Sequence, residues 1–563
     1  MFIDLKDIIR KLEEWITRKN NKQDMSANVD LDPVLLVPGI GGSILTAVND
    51  QGGTDHVWVR LFNAENEFKA KLWSLFDPAT GKTESLCPGT TIHVPDDRHG
   101  LYSCDILDPG LFIRLNTVYY FHDLIQKMLE WGYEEGTSLF GFGYDFRQSN
   151  RLPETMDRLK SKLETIHEKS GGKKVNVVSH SMGGLVVKSF MALHGEVFEK
   201  CVNSWIAIAA PFQGAPGFIT DTLLTGVEFV KGWQQELFIA KWSTHQLLIE
   251  CPSVYELMAS PQYNWKEPPQ LQIWSKKANG DGEVSVGLDS FGLDNAPTMM
   301  KAALKDNTLV FDGRTIPLPF NSNIFEWANK TRKLWQSASL PEGVKFYNIY
   351  GTSNATPYDA CYGSEKFPIE DLKDILHTDG DFRYVDGDGT VPVESSMADQ
   401  LDALERVGVP GEHRGLLSDD RVFRALKHWL KAGEPDPLYN PVNDYVMIPT
   451  MAEFEEHRKQ NVTISLNQNA HVGSLPVHDD ITSHRIYHDY VTAIIAGFGS
   501  NPDARAEAHS SVSYYGHHSE NFLDKYFEVS TTGVAEGRDA KKTALILEQA
   551  ITAASEKAML ASA

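Results

Sequence analysis

A serine hydroxyl becomes a nucleophile only when an imidazole can take its proton and a carboxylate steadies that imidazole, so the first question is where those three groups could meet. Ser181 sits in Val175-Asn-Val-Val-Ser-His-Ser-Met-Gly-Gly-Leu-Val-Val-Lys188. There an apolar β-branched run ends, a Ser-x-Ser-x-Gly turn follows, and a helix-compatible stretch begins at once. A strand–turn–helix elbow of this kind lifts the hydroxyl clear of a sheet and aims the free N–H groups of the helix start at the same spot. Ser179 stands where such elbows usually carry glycine, a small-for-small exchange. The elbow pattern alone also fits a small-residue packing turn with no chemistry.

The rest of the machinery follows in the order expected for an α/β-hydrolase fold, Ser then Asp then His. Phe382-Arg-Tyr-Val-Asp-Gly-Asp-Gly-Thr-Val-Pro392 offers two carboxylates in a glycine-rich loop. Asp388 is favoured as the acid because Asp-Gly-Thr-Val-Pro is its commoner frame, with Asp386 a turn residue or a helper. A fragment of a calcium loop is the competing reading, but the later glutamate is missing, so no metal is expected. His413 lies in Gly411-Glu-His-Arg-Gly-Leu-Leu417, just before an amphipathic stretch whose N-cap is read as Ser418. His180 and His428 fall within the elbow and a helix, which leaves His413 as the base.

The tetrahedral oxygen formed by serine attack needs backbone donors. Pro33-Val-Leu-Leu-Val-Pro-Gly-Ile-Gly-Gly-Ser-Ile-Leu45 reads as a buried strand emptying into a glycine loop. The expected donors are the N–H of Met182, after the nucleophile, and that of Gly41, with Ile40 as the alternative. Neither a Gly-x-x-x-x-Gly-Lys-Ser/Thr nor a Gly-x-Gly-x-x-Gly pattern occurs, so a nucleotide cradle is not expected and no cofactor is called for.

Several motifs now add up to a resemblance. Pro38-Gly-Ile-Gly-Gly-Ser-Ile-Leu45, Gly143-Tyr-Asp-Phe-Arg147, Ser179-His-Ser-Met-Gly-Gly184, Ala210-Pro-Phe-Gln-Gly-Ala-Pro216 and Cys251-Pro-Ser-Val-Tyr-Glu-Leu-Met258 occur in this order. Together with the Asp388 and His413 loops, the chain resembles the lecithin:cholesterol acyltransferase family, most nearly its plant intracellular branch of phospholipases A. The resemblance covers roughly residues 30–450. It implies an α/β-hydrolase core with a cap and a membrane-binding lid, acting on glycerophospholipid esters without a metal. It also implies the roles assigned above to Ser181, Asp388, His413, Gly41 and Met182. The secreted relatives carry Gly-His-Ser-Leu-Gly and disulfides around the lid, and no equivalent cysteine pair flanks that segment here.

The elements that must position these residues are read from spacing. The central sheet should be mostly parallel, with residues 30–211 as its first part and 343–432 as its second. Ser181 and Asp388 are separated by far more chain than one strand–helix unit needs. The excess, residues 212–342, reads as a cap insertion, holding Trp233, Trp242, Trp265, Trp274, Trp327 and Trp335. Residues 56–86, with aromatics scattered among charges, read as an aromatic lid loop whose Trp58, Trp73 and Phe76 would touch lipid. Ordinary loop packing explains the same pattern. Leu5, Ile8, Ile9, Leu12, Trp15 and Ile16 give residues 1–29 an amphipathic helical stripe, either packed on the domain or lying at a membrane interface. Residues 433–563 form a C-terminal extension without an assigned role.

Bulk properties narrow the partners. The formal charge of −23, from 53 basic and 76 acidic residues, argues against nucleic acid. Five widely spaced cysteines read as reduced thiols. Neither a secretory leader nor a membrane span is evident. The expectation is a cytoplasmic enzyme in peripheral contact with membranes, taking phospholipid from a membrane or micelle surface. Three functions stay open: an acyl hydrolase, an acyltransferase passing the acyl group to a sterol or other lipid alcohol, and a catalytically dead lipid-binding protein.

Overall fold

The computed structural model describes residues 31–60, 71–109, 118–227, 240–278 and 284–433. The expected amphipathic helix at 1–29 and almost all of the C-terminal extension lie outside the described residues, as do Phe62, Phe68 and Trp233.

Among the described residues the central sheet has six strands: β1 (Val34–Val37), β2 (Leu139–Gly141), β3 (Val175–His180), β4 (Val202–Ile208), β5 (Lys345–Thr352) and β6 (Glu405–Pro410). Their spatial order is β6-β5-β4-β3-β1-β2, and every neighbouring pair is parallel. Every residue of β1, β2 and β3 is buried, so the apolar runs of β1 and β2 do not alternate, and the polar Asn176, Ser179 and His180 of β3 each find a hydrogen-bond partner. A parallel sheet covered by helices on both faces has no solvent side to supply a polar register. The helices α1 (His122–Glu130), α2 (Pro153–Lys169), α3 (Gly183–Leu193) and α4 (Asp420–Trp429) surround it. Of these α2 begins with a proline whose missing N–H costs nothing in the first turn. Helix α4 is capped by Asp419, whose side chain accepts the Arg421 N–H at 2.8 Å. Ser418, expected in that role, instead donates to the Gly415 carbonyl. A carboxylate at a helix start also complements the dipole, which favours the aspartate over its neighbour.

A second sheet runs in the order Val284–Phe291, Leu271–Ala278, Asn354–Tyr362, Asp381–Gly387. It departs from the sequence-based boundaries, because its last two strands come from residues assigned to the core rather than to the insertion. The reason is pairing across the chain: Leu271 aligns with Ala360 in a parallel register, which spacing along the chain does not reveal. Residues 212–342 are also tied onto α3. Among them, the helix Ser322–Gln336 places Trp335 so that its indole N–H donates to Ser189 Oγ of α3 at 2.7 Å.

Residues 56–86 are firmly tied down where they are described. The hairpin Ser74–Asp77/Lys82–Ser85 is clamped by Glu250, whose carboxylate accepts the Phe76 N–H at 2.9 Å. Thr83 donates its hydroxyl to the Glu250 carbonyl at 2.7 Å and exchanges two further hydrogen bonds with the Gln148 side chain.

Candidate active site

Strand β3 ends in a turn that puts Ser181 at φ 55°, a left-handed conformation that a non-glycine residue rarely takes. Such a conformation costs about 1–3 kcal/mol and persists only where surrounding contacts impose it. Those contacts are visible. The Ser181 N–H donates to the Ile208 carbonyl of β4 at 2.8 Å, and Gly184 N–H returns to the Ser181 carbonyl. At Gly183 an added Cβ would stand 2.4 Å from the Pro38 carbonyl oxygen and 2.5 Å from that of Val37, so only glycine lets α3 start this close to the end of β1. Ser179 fits because its Oγ accepts the indole N–H of Trp205 at 2.8 Å.

Asp388 follows the strand Asp381–Gly387, and His413 follows β6. His413 Nδ1 lies 2.7 Å from Asp388 Oδ2, and His413 Nε2 lies 2.8 Å from Ser181 Oγ. An ionised carboxylate only accepts, so the proton sits on Nδ1, Nε2 is the lone-pair nitrogen, and the serine O–H donates to it. A further bond from the His413 N–H to the Asp388 carbonyl at 2.8 Å holds the two loops together. The Asp388 side chain is 1% exposed and that of His413 14%, so the pair is shielded from water while the outer edge of the imidazole stays reachable. Asp386 does not join them. Its Oδ1 accepts the Ser353 N–H at 2.6 Å, and burial raises its pKa.

The glycine loop after β1 abuts Ser181. An added Cβ on Gly39 would stand 2.6 Å from Ser181 Cβ. Among the described residues, no acceptor takes the N–H of Ile40, Gly41 or Met182, whereas the N–H groups of Gly39 and Gly42 are both engaged. Gly41 itself is at φ 68°. The arrangement is therefore one nucleophilic oxygen, one proton acceptor held in a single tautomer, and uncommitted backbone donors on both flanks. It suits acyl transfer through a tetrahedral oxyanion. No group of three or more metal-ligating side chains comes together among the described residues.

The aromatics expected to face lipid are placed otherwise. Trp58, Trp73 and Phe76 are all buried. The Trp58 indole N–H donates to the Gly41 carbonyl at 2.8 Å, and its ring packs on Phe146. Trp73 packs edge-on to Phe311, and Phe76 does the same against Trp327. An indole buries its large apolar face whenever its N–H finds a partner, and the carbonyls of Gly41 and Ser243 supply one for each tryptophan. Two residues that sequence reasoning passed over stand beside the site. Tyr120 and His180 both touch its loops, and the only sequence signal for His180 was its place between the two serines of the elbow.

Comparison with known proteins agrees with the sequence resemblance. Residues 55–401 match the family model described as Lecithin:cholesterol acyltransferase, a stretch that holds Ser181 and Asp388 while Gly41 and His413 lie outside it. The chain is 55% identical over 468 residues to lecithin-cholesterol acyltransferase-like 4 of Arabidopsis thaliana, covering 83% of this chain and 88% of that one. It is 52% identical over 415 residues to phospholipase A(1) LCAT3 of the same plant, covering 73% and 93%. The lysosomal phospholipase A and acyltransferase of Bos taurus is 23% identical over 431 residues, covering 71% and 91%. With the family model spanning residues 55–401 and the two plant relatives more than half identical over most of its length, this chain belongs to the lecithin:cholesterol acyltransferase family.

Proposed function

We propose that this protein is a serine acyl hydrolase that cleaves fatty acyl esters of glycerophospholipids. The single observation that carries the reading is the 2.8 Å approach of His413 Nε2 to Ser181 Oγ, with Nδ1 held by Asp388. The names of the relatives, phospholipase A(1) and phospholipase A and acyltransferase, supply the substrate class.

In the first half-reaction Ser181 Oγ attacks the acyl carbonyl carbon as its proton passes to His413 Nε2. The carbonyl oxygen becomes an oxyanion received by the Met182 and Gly41 N–H groups, and Asp388 balances the imidazolium. Collapse breaks the ester bond. The imidazolium returns the proton to the departing lysophospholipid oxygen, leaving acylated Ser181. In the second half-reaction His413 takes a proton from water, whose oxygen attacks the acyl carbon, and fatty acid leaves as Ser181 is reprotonated. A lipid alcohol in place of that water would give an ester by the same steps, which accommodates the word acyltransferase in the relatives' names.

The substrate implies contact with a membrane or micelle surface. No helix among the described residues is long and apolar enough to cross a membrane, which fits peripheral contact. The five cysteines are all unpaired, which fits a reducing compartment such as the cytoplasm.

The test is product analysis on phosphatidylcholine vesicles carrying two distinguishable acyl chains, with and without sterol. Wild type should release fatty acid from one glycerol position, or form sterol ester when sterol is present. Ser181→Ala should fall by at least about 10³-fold, since the proton shuttle then has no nucleophile. Undiminished turnover by that variant would overturn the reading.

A further inference from the structure

Tyr120 and His180 occupy the space between the glycine loop and the base loop. The Gly39 N–H donates to Tyr120 Oη at 2.6 Å. Tyr120 Oη lies 2.7 Å from His180 Nδ1, and His180 Nε2 lies 3.0 Å from the main-chain carbonyl of His413. The direction of every bond in this chain follows from the two ends. A carbonyl can only accept, so His180 Nε2 carries the ring proton. The neutral ring then offers Nδ1 as an acceptor, Tyr120 must donate to it, and the tyrosine oxygen is left to accept from Gly39. His180 has the opposite tautomer to His413. Burial and the neighbouring His413 hold its pKa well below the ordinary histidine value, in keeping with a ring that stays uncharged.

The chain links four separate places in the sequence. Gly39 is in the loop after β1, Tyr120 precedes α1, His180 ends β3, and His413 follows β6. Tyr120 and His180 are both buried, and their rings pack edge to face at 5.5 Å. The His180 ring in turn lies 4.8 Å from that of His413. An added Cβ on Gly39 would come within 2.7 Å of the tyrosine oxygen and 2.6 Å of Ser181 Cβ, so tyrosine, glycine loop and nucleophile are in close contact at one point.

From this geometry we infer that Tyr120 and His180 are positioning residues acting as one unit: they lock the glycine loop that supplies an oxyanion donor to the loop that carries the base. The inference rests on the reading of Ser181, His413 and Gly41 as the reacting machinery. By engaging the Gly39 N–H, Tyr120 fixes the loop whose next two N–H groups remain uncommitted. By donating to the His413 carbonyl, His180 fixes the backbone from which the base projects. A neutral His180 also avoids placing a second positive charge beside the imidazolium that forms during attack. Tyr120 and His180 bond to the two loops and to each other rather than to Ser181, so their removal should act on kcat and leave KM nearly unchanged.

The experiment uses the full chain with Tyr120→Phe, His180→Gln, the double variant and Ser181→Ala, assayed for fatty acid release from phosphatidylcholine vesicles. Active-site concentration is set by endpoint titration with a fluorophosphonate, and thermal melting monitors folding. Each single variant should lose about 10- to 100-fold in kcat with KM within about twofold, because a small misplacement of reacting groups is expensive in rate. The double variant should be no worse than the poorer single variant, since breaking one chain twice removes nothing more. Three results would overturn the inference: wild-type kcat in Tyr120→Phe, losses that multiply in the double variant, or a loss confined to KM. If His180→Gln melts early, Tyr120→Phe, which removes one oxygen, still decides. Retained activity in Ser181→Ala would instead refute the nucleophile assignment. An inactive Ser181→Ala beside a fully active Tyr120→Phe refutes the positioning unit alone.

Discussion

At the scale of single residues, Asp388 and Asp386 show how two identical side chains two positions apart acquire different work. Asp388 Oδ2 faces His413 Nδ1, while Oδ1 accepts the N–H groups of Thr390 and Val391 at 2.9 and 2.7 Å. Both oxygens are thus satisfied, and the side chain cannot rotate without losing a partner. Asp386 points to the Ser353 backbone instead. Asp388→Asn should lower kcat by about 10⁴-fold, because an amide can present an N–H to Nδ1 and force the wrong imidazole tautomer. Asp386→Asn should keep kcat within about tenfold, since the amide oxygen can still accept the Ser353 N–H and the side chain faces none of the reacting groups. Steady-state assay of the two variants side by side checks both, and a larger loss in Asp386→Asn than in Asp388→Asn would mean the acid has been assigned to the wrong aspartate. Trp58 yields a third comparison. Trp58→Phe keeps an aromatic ring against Phe146 but removes the donor to the Gly41 carbonyl. Its kcat should fall about tenfold, as expected when a group that orients an oxyanion loop is lost, while co-sedimentation with vesicles is unchanged. Loss of vesicle binding with kcat intact would restore the lipid-contact role.

At the scale of elements, the clamp on the Ser74–Asp77/Lys82–Ser85 hairpin carries a pH dependence. Glu250 is 3% exposed, and burial raises its pKa from the ordinary 4.5 to about 7, against the opposing pull of the Phe76 N–H and the Asn321 side chain. Between pH 4.5 and 7 the folded chain therefore binds a proton at Glu250 that the unfolded chain has released. Its contribution to stability is complete below about pH 4.5 and is lost as pH rises through 7, amounting to at most about 3 kcal/mol. Glu250→Gln cannot ionise. Melting profiles from pH 5 to 8 should accordingly fall less steeply for the variant than for wild type, and parallel profiles would show that Glu250 does not titrate in this window. The same clamp ties the inner side of the hairpin to the chain around Glu250: the Phe76 N–H and the Thr83 hydroxyl from the hairpin, and the Asn321 amide from elsewhere, all converge on that residue.

At the scale of the whole molecule, a net charge of −23 acts on how the protein meets its substrate rather than on the fold. Anionic vesicles repel it at long range, and salt screens that repulsion within about 10 Å at 0.1 M. Hydrolysis at low salt should be faster on phosphatidylcholine vesicles than on vesicles enriched in an anionic phospholipid, and the gap should narrow as salt rises. A preference for anionic vesicles that strengthens at low salt would require a basic docking face instead. Among the described residues, 212–342 are joined to the elements flanking the central sheet by buried polar contacts such as Trp335 with Ser189 of α3 and Glu256 with Ser149 and Asn150 before α2. Residues 212–342 therefore form part of the support of α3, the helix that starts just after Ser181.

The sequence by itself determined what is local. The elbow around Ser181, the apolar strands and the fold class were legible because strand, turn and helix each leave a contiguous pattern of side-chain size and polarity. Candidates for acid and base could be named because glycine-rich loops that follow strands have few ways to be built. Only the tertiary structure decided which aspartate faces His413, that Trp58, Trp73 and Phe76 are inward-facing, that the second sheet borrows strands from both sides of the expected boundary, and that Tyr120 and His180 join two loops. Each of these depends on contacts between residues far apart in the chain. A side chain's partner at such separation is set by how the sheet stacks and where the insertion docks, and neither composition nor periodicity records that.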